Sequence, residues 1–350
     1  MDSKTVITKE TKNKIRVDYE GKLSFKERLE MKLKSSRTWI KGVVNVFRFI
    51  LMLGVSYVIL FPFIAKIAGS FMTKEDIIDA TVSLIPKHFT FEIYKAIIVE
   101  NHYIAAFFNT LLLSLACALL QTFVACLIGY GIAKFKFKGN KAVMLVVVLT
   151  MIIPHASLEF AMLQHFTQFD LFTVISWNYE GPFELIFGDP IQLQNTFWPL
   201  IILSVFGLGF KNGLYIYLMR QFFKGVPDEL EESSYVDGAG TIRTFFQIIL
   251  PLAVPMMITI FLFAFSWQWT DEFYTELFFP GEFGNENPVY LMPDVVATPK
   301  SLETDYPGKT LYYNIIQNTA GMIVIFPLII MYLFCQRYLV QGIERSGLVG

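Results

Sequence analysis

The chain has 350 residues, 54% of them hydrophobic and only 17% charged, where an ordinary soluble domain is about a quarter charged. That composition, with 35 phenylalanines and a mean hydropathy of +0.49, excludes a disordered chain, a collagenous fibre and a small disulfide scaffold. Its 29 basic and 30 acidic residues sum to −1, so no basic excess points to nucleic acid.

A bilayer core needs about 20 residues of apolar helix. Six segments meet that length, approximately 43–65, 104–133, 142–163, 197–222, 252–277 and 313–338. They are too long for barrel strands and lack a strand's alternation. The expected fold class is therefore an all-α integral membrane protein with six transmembrane helices.

Residues 1–41 form a charged tail with no apolar leader segment, so the first span is expected to act as its own insertion signal. Lys and Arg alternate there with Leu23, Phe25, Leu29, Met31 and Leu33. A short helix on an anionic membrane surface and a solvated basic tail both fit that mixture. The remainder, 42–350, reads as one transmembrane domain.

Basic residues orient the spans. Thirteen of the 29 lie between Lys4 and Arg48, and four more (Lys134, Lys136, Lys138, Lys141) separate spans two and three. Lys211, Arg220, Lys224 and Arg243 lie in or after span four, and Arg337 and Arg345 close the chain. The opposite loops hold only Lys74, Lys87, Lys95, Lys300 and Lys309. The positive-inside rule then places both termini in the cytoplasm. Two outer loops, 164–196 and 279–311, are long enough to suggest that they fold onto the bundle or carry function.

Span four carries Gly209-Phe210-Lys211-Asn212-Gly213 near its middle. A lysine at that depth costs about 2.5–3.5 kcal/mol on insertion scales and calls for a wet cavity or a partner. The flanking glycines suggest a broken helix. Lys211 and Asn212 are thus candidate pathway residues, joined by Trp267, Gln268, Trp269 and Asp271 from span five. Aromatic faces and amides suit the mixed surface of a sugar, although an interfacial aromatic belt explains the tryptophans equally well.

Catalytic and metal signatures are missing. His88, His102, His155 and His165 are scattered, and Pro154-His155 reads as a packed polar residue at a helix break. No phosphate loop and no nucleophile elbow occurs. Cys117, Cys126 and Cys335 form no pairing motif and are expected to behave as small hydrophobes. No cofactor is expected on this chain.

Between spans four and five, residues 225–251 read as helix, tight turn, helix. Pro227 and the acids Asp228, Glu229, Glu231 and Glu232 suit a helix start. Asp237-Gly238-Ala239-Gly240 supplies turn chemistry, and Leu250-Pro251 marks membrane entry.

The pattern Glu232-Ser233-Ser234-x-x-Asp237-Gly238-Ala239, followed by Ile248-x-Leu250-Pro251, resembles the EAA motif of ABC importer permeases, with serines at two alanine places. Asn109-Thr110 opening span two, Gly129-Tyr130-Gly131 through Gly139 after it, and the end Gln336 to Gly350 are similar to the carbohydrate (oligosaccharide-type) family, in the half like the second maltose-type permease.

That resemblance implies the type I, maltose-type permease fold in a bacterial cell membrane. It also implies a second homologous permease, a cytoplasmic ATPase dimer holding ATP and Mg, and an extracellular solute-binding protein delivering a sugar. The EAA loop would contact the ATPase, and the chain itself would not be catalytic. A permease for a peptide or polyamine shares the motif. A membrane-embedded glycan- or lipid-modifying enzyme and a channel are the readings from other classes.

Overall fold

The structure, a computed structural model, describes residues 7–10, 16–19, 36–170, 191–279, 289–303, 305 and 309–345. The chain divides into two compact units, residues 1–67 and 68–350. In the first, β1 (Ile7–Glu10) pairs antiparallel with β2 (Arg16–Tyr19), with Ile7 opposite Tyr19 and Glu10 opposite Arg16. This hairpin lies in the N-terminal tail, outside the expected transmembrane domain. Strand β2, Arg16-Val17-Asp18-Tyr19, alternates charged residues with strand-favouring ones, a pattern that fits a ladder better than a helix. The suggested surface helix over Leu23 to Leu33 lies outside the described residues. Helix α1 (Ser36–Gly69) carries the first span and contains Pro62.

The second unit is helical among its described residues. Short α2 (Lys74–Ile78) and α3 (Glu92–Glu100) precede α4 (Tyr103–Lys134), the second span. Helix α5 (Asn140–Ile152) follows a turn in which Gly139 takes φ +100° and Asn140 Nδ2 donates to the carbonyls of Ile132 and Phe135. A 3₁₀ turn (His155–Leu158) leads into α6 (Glu159–Thr167). Then come α7 (Trp198–Val205), α8 (Asn212–Lys224), α9 (Glu229–Val236), α10 (Thr241–Trp269), α11 (Phe273–Phe278) and α12 (Lys309–Arg345).

Four of these helices are continuous, long and apolar enough to cross a membrane: α1, α4, α10 and α12. The expected third span is the pair α5 and 155–167, bent by 97°. Pro154 causes the break: it has no N–H to donate, and it holds Ile153 in extended backbone (φ −68°, ψ 119°). The expected fourth span is divided at 206–211. There the N–H of Leu208 donates to the Leu203 carbonyl and that of Gly207 to the Ser204 carbonyl, with Gly207 at φ +73°. That is a Schellman stop, which satisfies the last carbonyls of α7 inside an apolar bundle. Among the described residues, four of the six apolar segments form continuous helices, the third is bent at Pro154 and the fourth is divided at 206–211.

Packing centres on α4. Its face of Ala118, Ala125, Cys126 and Tyr130 meets Tyr215, Met219 and Phe223 of α8 and Met256 and Ile260 of α10. Trp269 is wholly buried, and its indole N–H donates to the Val324 carbonyl of α12 at 2.9 Å. Cys117 and Cys126 are buried free thiols in the two apolar clusters.

The described part of the second long loop folds back onto α3 and α4. Asn101 donates to the carbonyls of Val295 and Ala297, Thr110 accepts from the Met292 N–H, and His102 stacks on Tyr290 at 4.2 Å. In the first long loop Phe169 and Ile191 exchange backbone hydrogen bonds, while Asn195 donates to the Phe278 carbonyl. Residues 171–190 and 280–288 of these loops lie outside the described set.

Helices α4 and α8 cross closely enough that a Cβ on Gly129 would lie 2.6 Å from Met219 Cβ and 3.0 Å from the Arg220 backbone nitrogen. Gly131, two residues on, faces open space. Gly129→Ala should therefore destabilise by about 1–3 kcal/mol through overpacking, while Gly131→Ala should be neutral or stabilising. Thermal melts of the two variants in detergent compare them directly; equal melting temperatures would remove the close crossing as a constraint.

Candidate functional site

Two places gather the residues singled out from sequence. The first is the break in the fourth span. Lys211 takes φ +62°, in the left-handed region, and caps the start of α8. A non-glycine residue there marks a position held by its surroundings. Its exposed ammonium lies 4.8 Å from the Phe210 ring centre and 5.2 Å from that of Trp267, itself 47% exposed. Among the described residues no carboxylate lies within ion-pair distance of it.

Beneath this surface the rings continue inward. Phe210 packs edge-on against Tyr274, whose hydroxyl shares a 2.6 Å hydrogen bond with His155 Nδ1. Sequence reasoning missed Phe210 and Tyr274 as part of this cluster. It did place His155 as a packed polar residue at a helix break, which is where it sits. The visible signal was the adjacency of Phe210 to Lys211.

The other candidates separate by depth. Asn212 is 1% exposed, and neither amide atom has a hydrogen-bond partner among the described residues. Gln268 and Asp271 are also buried, and one Asp271 oxygen accepts from the Tyr274 N–H at the start of α11. Trp269 does not join the surface. It points into the core against α12, because residues two apart on a helix face nearly opposite sides. The two glycines flanking Lys211 permit close approach: a Cβ on Gly209 would lie 2.7 Å from Gln121 Nε2, and one on Gly213 2.9 Å from the Val147 carbonyl.

The second place is the bend between α9 and α10. Asp228 is the N-cap residue of α9, with Pro227 one residue before it rather than inside the first turn. At the other end the Ala239 N–H donates to Ser234 and the Gly238 N–H to Tyr235, with Gly238 at φ +82°. This is again a Schellman stop. The turn is thus closed by backbone bonds. Ser234 is buried, and its hydroxyl bonds that of Thr244 at 2.8 Å, which locks α9 onto the first turn of α10. Ser233 and Glu232 face outward, as do Val236 and Ile242, which are 87% and 75% exposed.

Helix α10 runs from this bend into the fifth span without a stop. Residues Phe245–Ile249 form a π turn, and the Leu250 N–H reaches back five residues to Phe245. Pro251 and Pro255 follow directly, each unable to donate, so the ladder loosens where the helix enters its apolar stretch.

A buried ammonium ties the bend to the second span. Lys134, last in α4 and with a side chain only 5% exposed, donates to the Val226 carbonyl at 2.6 Å and to Asp228 Oδ1 at 2.5 Å. Glu231 Oε1 stands 3.9 Å from the same ammonium. The hydrogen bond from Lys134 holds the Asp228 carboxyl below its usual pKa, whereas burial pushes Glu231 upward. The Asp228 contribution is therefore present above the ordinary carboxylate pKa and lost only as pH falls through the lowered value.

The sequence model for the family described as binding-protein-dependent transport system inner membrane component matches residues 121–345, more than half of the chain. The probable ABC transporter permease protein YurM of Bacillus subtilis is 27% identical over 330 residues, spanning 93% of this chain and 94% of its own length. The galactooligosaccharides transport system permease protein GanQ of the same organism is 24% identical over 318 residues, 87% of this chain and 95% of its own. Among solved structures, a bacterial ABC transporter involved in the import of the acidic polysaccharide alginate contains a chain of similar fold. It has a TM-score of 0.60 at 20% identity and covers 87% of this chain and 98% of its own.

The bend itself yields a test. A Cβ on Gly238 would meet nothing within 4 Å, so only its positive φ restricts the position. Left-handed backbone costs an ordinary L-residue about 1–2 kcal/mol, and asparagine tolerates it better than a β-branched side chain. Gly238→Val should raise amide exchange across 229–244, and Gly238→Asn should leave it near wild type. Equal protection in both variants would mean that the left-handed turn is not what holds the bend.

Proposed function

From the premise that the chain belongs to the binding-protein-dependent transport system inner membrane component family, we propose that it is one permease half of an ATP-driven importer of sugars or oligosaccharides in a bacterial cell membrane. It is a transport permease. A second homologous permease completes the pore, an extracellular solute-binding protein delivers the sugar, and ATP with Mg is consumed on a partner ATPase dimer rather than on this chain. Both termini lie in the cytoplasm, which agrees with the distribution of Lys and Arg.

The observation that carries the coupling role is the closed bend at Gly238. An element that transmits ATP-site closure over tens of ångströms must be stiff. The Schellman stop and the buried Ser234–Thr244 bond supply that stiffness. Ser233, Ala239 and Gly240 let another surface approach closely, and the exposed apolar side chains of Val236 and Ile242 offer it something to bury. Glu232 and Asp237, exposed beside them, add charge to the docking face. Leu250 and Pro251 mark where the lever passes into the bilayer.

The sugar path runs past the broken fourth span. Lys211 over Phe210 and Trp267 gives a cation flanked by ring faces, a surface that binds saccharides by stacking and by hydrogen bonds from the ammonium. Asn212, Gln268 and Asp271 lie behind it as buried polar groups that a small movement of 206–211 would bring toward the path. Trp269 supports the path from the core.

Reconstitution of the chain with its partner permease, ATPase and binding protein tests this reading through ATP turnover stimulated by the loaded binding protein. Lys211→Met removes an exposed cation–ring contact of about 0.5–1 kcal/mol. It should lower uptake roughly two- to fivefold with assembly intact. Wild-type uptake by this variant would remove Lys211 from the path. Absence of stimulation by any sugar-loaded binding protein would overturn the importer assignment itself.

A further inference from the structure

We propose that Lys134 is a positioning residue that delivers the movement of the α9–α10 bend to the second span. This rests on the reading of the bend as the ATPase-docking element and goes beyond it by naming the joint through which the movement leaves.

Helix α9 has two polar ties to the rest of the described chain. One is Ser234–Thr244, which passes movement to α10 and so to the fifth span. The other is Lys134, which grips both the segment entering α9, at the Val226 carbonyl, and its N-cap residue, Asp228. Without the second tie, the bend acts on the fifth span but reaches α4 only through Tyr130, whose hydroxyl faces Glu231 and Tyr235 without a formed hydrogen bond. The Tyr130 ring also packs on Phe245 of α10 at 4.9 Å. Ring contacts of this kind slide. A charge-assisted hydrogen bond from a buried ammonium is shorter and stronger than such a contact and holds its partner close as α9 turns.

Helix α4 is also the element worth moving. It packs on α7, α8 and α10 and closes against α8 at Gly129 with no room for a side chain. A shift delivered at residue 134 therefore reaches the broken fourth span. The ammonium has a third donor in reserve. Glu231 Oε1 has no hydrogen-bond partner among the described residues and stands 3.9 Å away. It lies one helical turn beyond Asp228, so rotation of α9 exchanges one carboxylate for the other without releasing Lys134.

The test is stimulated against basal ATP turnover in the reconstituted complex, read together with ATPase co-purification. Lys134→Met should keep the ATPase attached and basal turnover within about twofold, yet reduce stimulation by the loaded binding protein about tenfold, inside the usual range of coupling between distant sites. Lys134→Arg should retain most of the stimulation.

Removing the lysine alone leaves Glu231 buried without a counter-charge, which can unfold the region. Lys134→Met combined with Glu231→Gln removes both charges, and it should assemble normally while remaining unstimulated. Normal stimulation of that double variant would overturn the proposal. So would loss of the ATPase from an otherwise folded Lys134→Met complex, because the lysine would then act in attachment and not in transmission. Gly238→Val, run in parallel, separates the two readings. Full stimulation there would remove the bend as the docking element, and with it the role of Lys134.

Discussion

The crossing of α4 and α8 at Gly129 is the contact on which the rest of the second unit depends. In lipid no hydrophobic gain draws two helices together, so association relies on van der Waals fit, and small residues let backbones approach. Met219 and the Arg220 backbone occupy the space that a side chain at 129 would fill. With α8 fixed there, its first residues must fall beside Gln121 of α4 and Thr150 of α5, and Gly209 and Gly213 are the residues that fit. Lys211 lies between them and is turned toward Trp267. At the other end of α8 the chain emerges next to Lys134, which is why that ammonium meets Val226 and Asp228, residues more than ninety positions away.

The same backbone device appears twice, in two solvents. At Gly207 it ends a helix within the apolar bundle, where an unpaired carbonyl would cost several kcal/mol. At Gly238 it ends a helix beside exposed residues, where water could serve those carbonyls, so its value there is a defined turn rather than satisfied hydrogen bonds. A helix interrupted in the first place can move as two pieces. One interrupted in the second place stays a single rigid corner, because Ser234 and Thr244 hold its arms together.

Much of this was legible in the sequence. Apolar length located the helices, and the small-residue cluster at 233–240 located the bend, since both depend on local composition. Pro154 announced its break for the same reason. Which side of a helix faces inward was harder to read. Glu231, not Glu232, is the acid turned toward Lys134, and that follows from where α4 ends, information no window around residue 231 contains. The stop in the fourth span falls at Gly207, whereas Gly209 and Gly213, the more conspicuous pair, serve close packing. Trp267 and Trp269 invited one assignment, yet their spacing of two on a helix already forbids a shared face.

The π turn at Phe245–Ile249 sets the phase of everything on either side of it. A π turn carries one residue more than the α-helical repeat, so the frame beyond it is advanced by one position, about 100° of rotation. Ser234's partner Thr244 lies on one side of that offset, and Met256, Ile260 and Trp269 lie on the other. No single helical wheel drawn through 241–269 can describe both the corner and the core. Had the helix been regular throughout, a Thr244 turned toward α9 would have aimed the buried stripe of the fifth span about a quarter of a turn away from α4 and α12. The extra residue lets two surfaces with unrelated periodicities share one continuous helix.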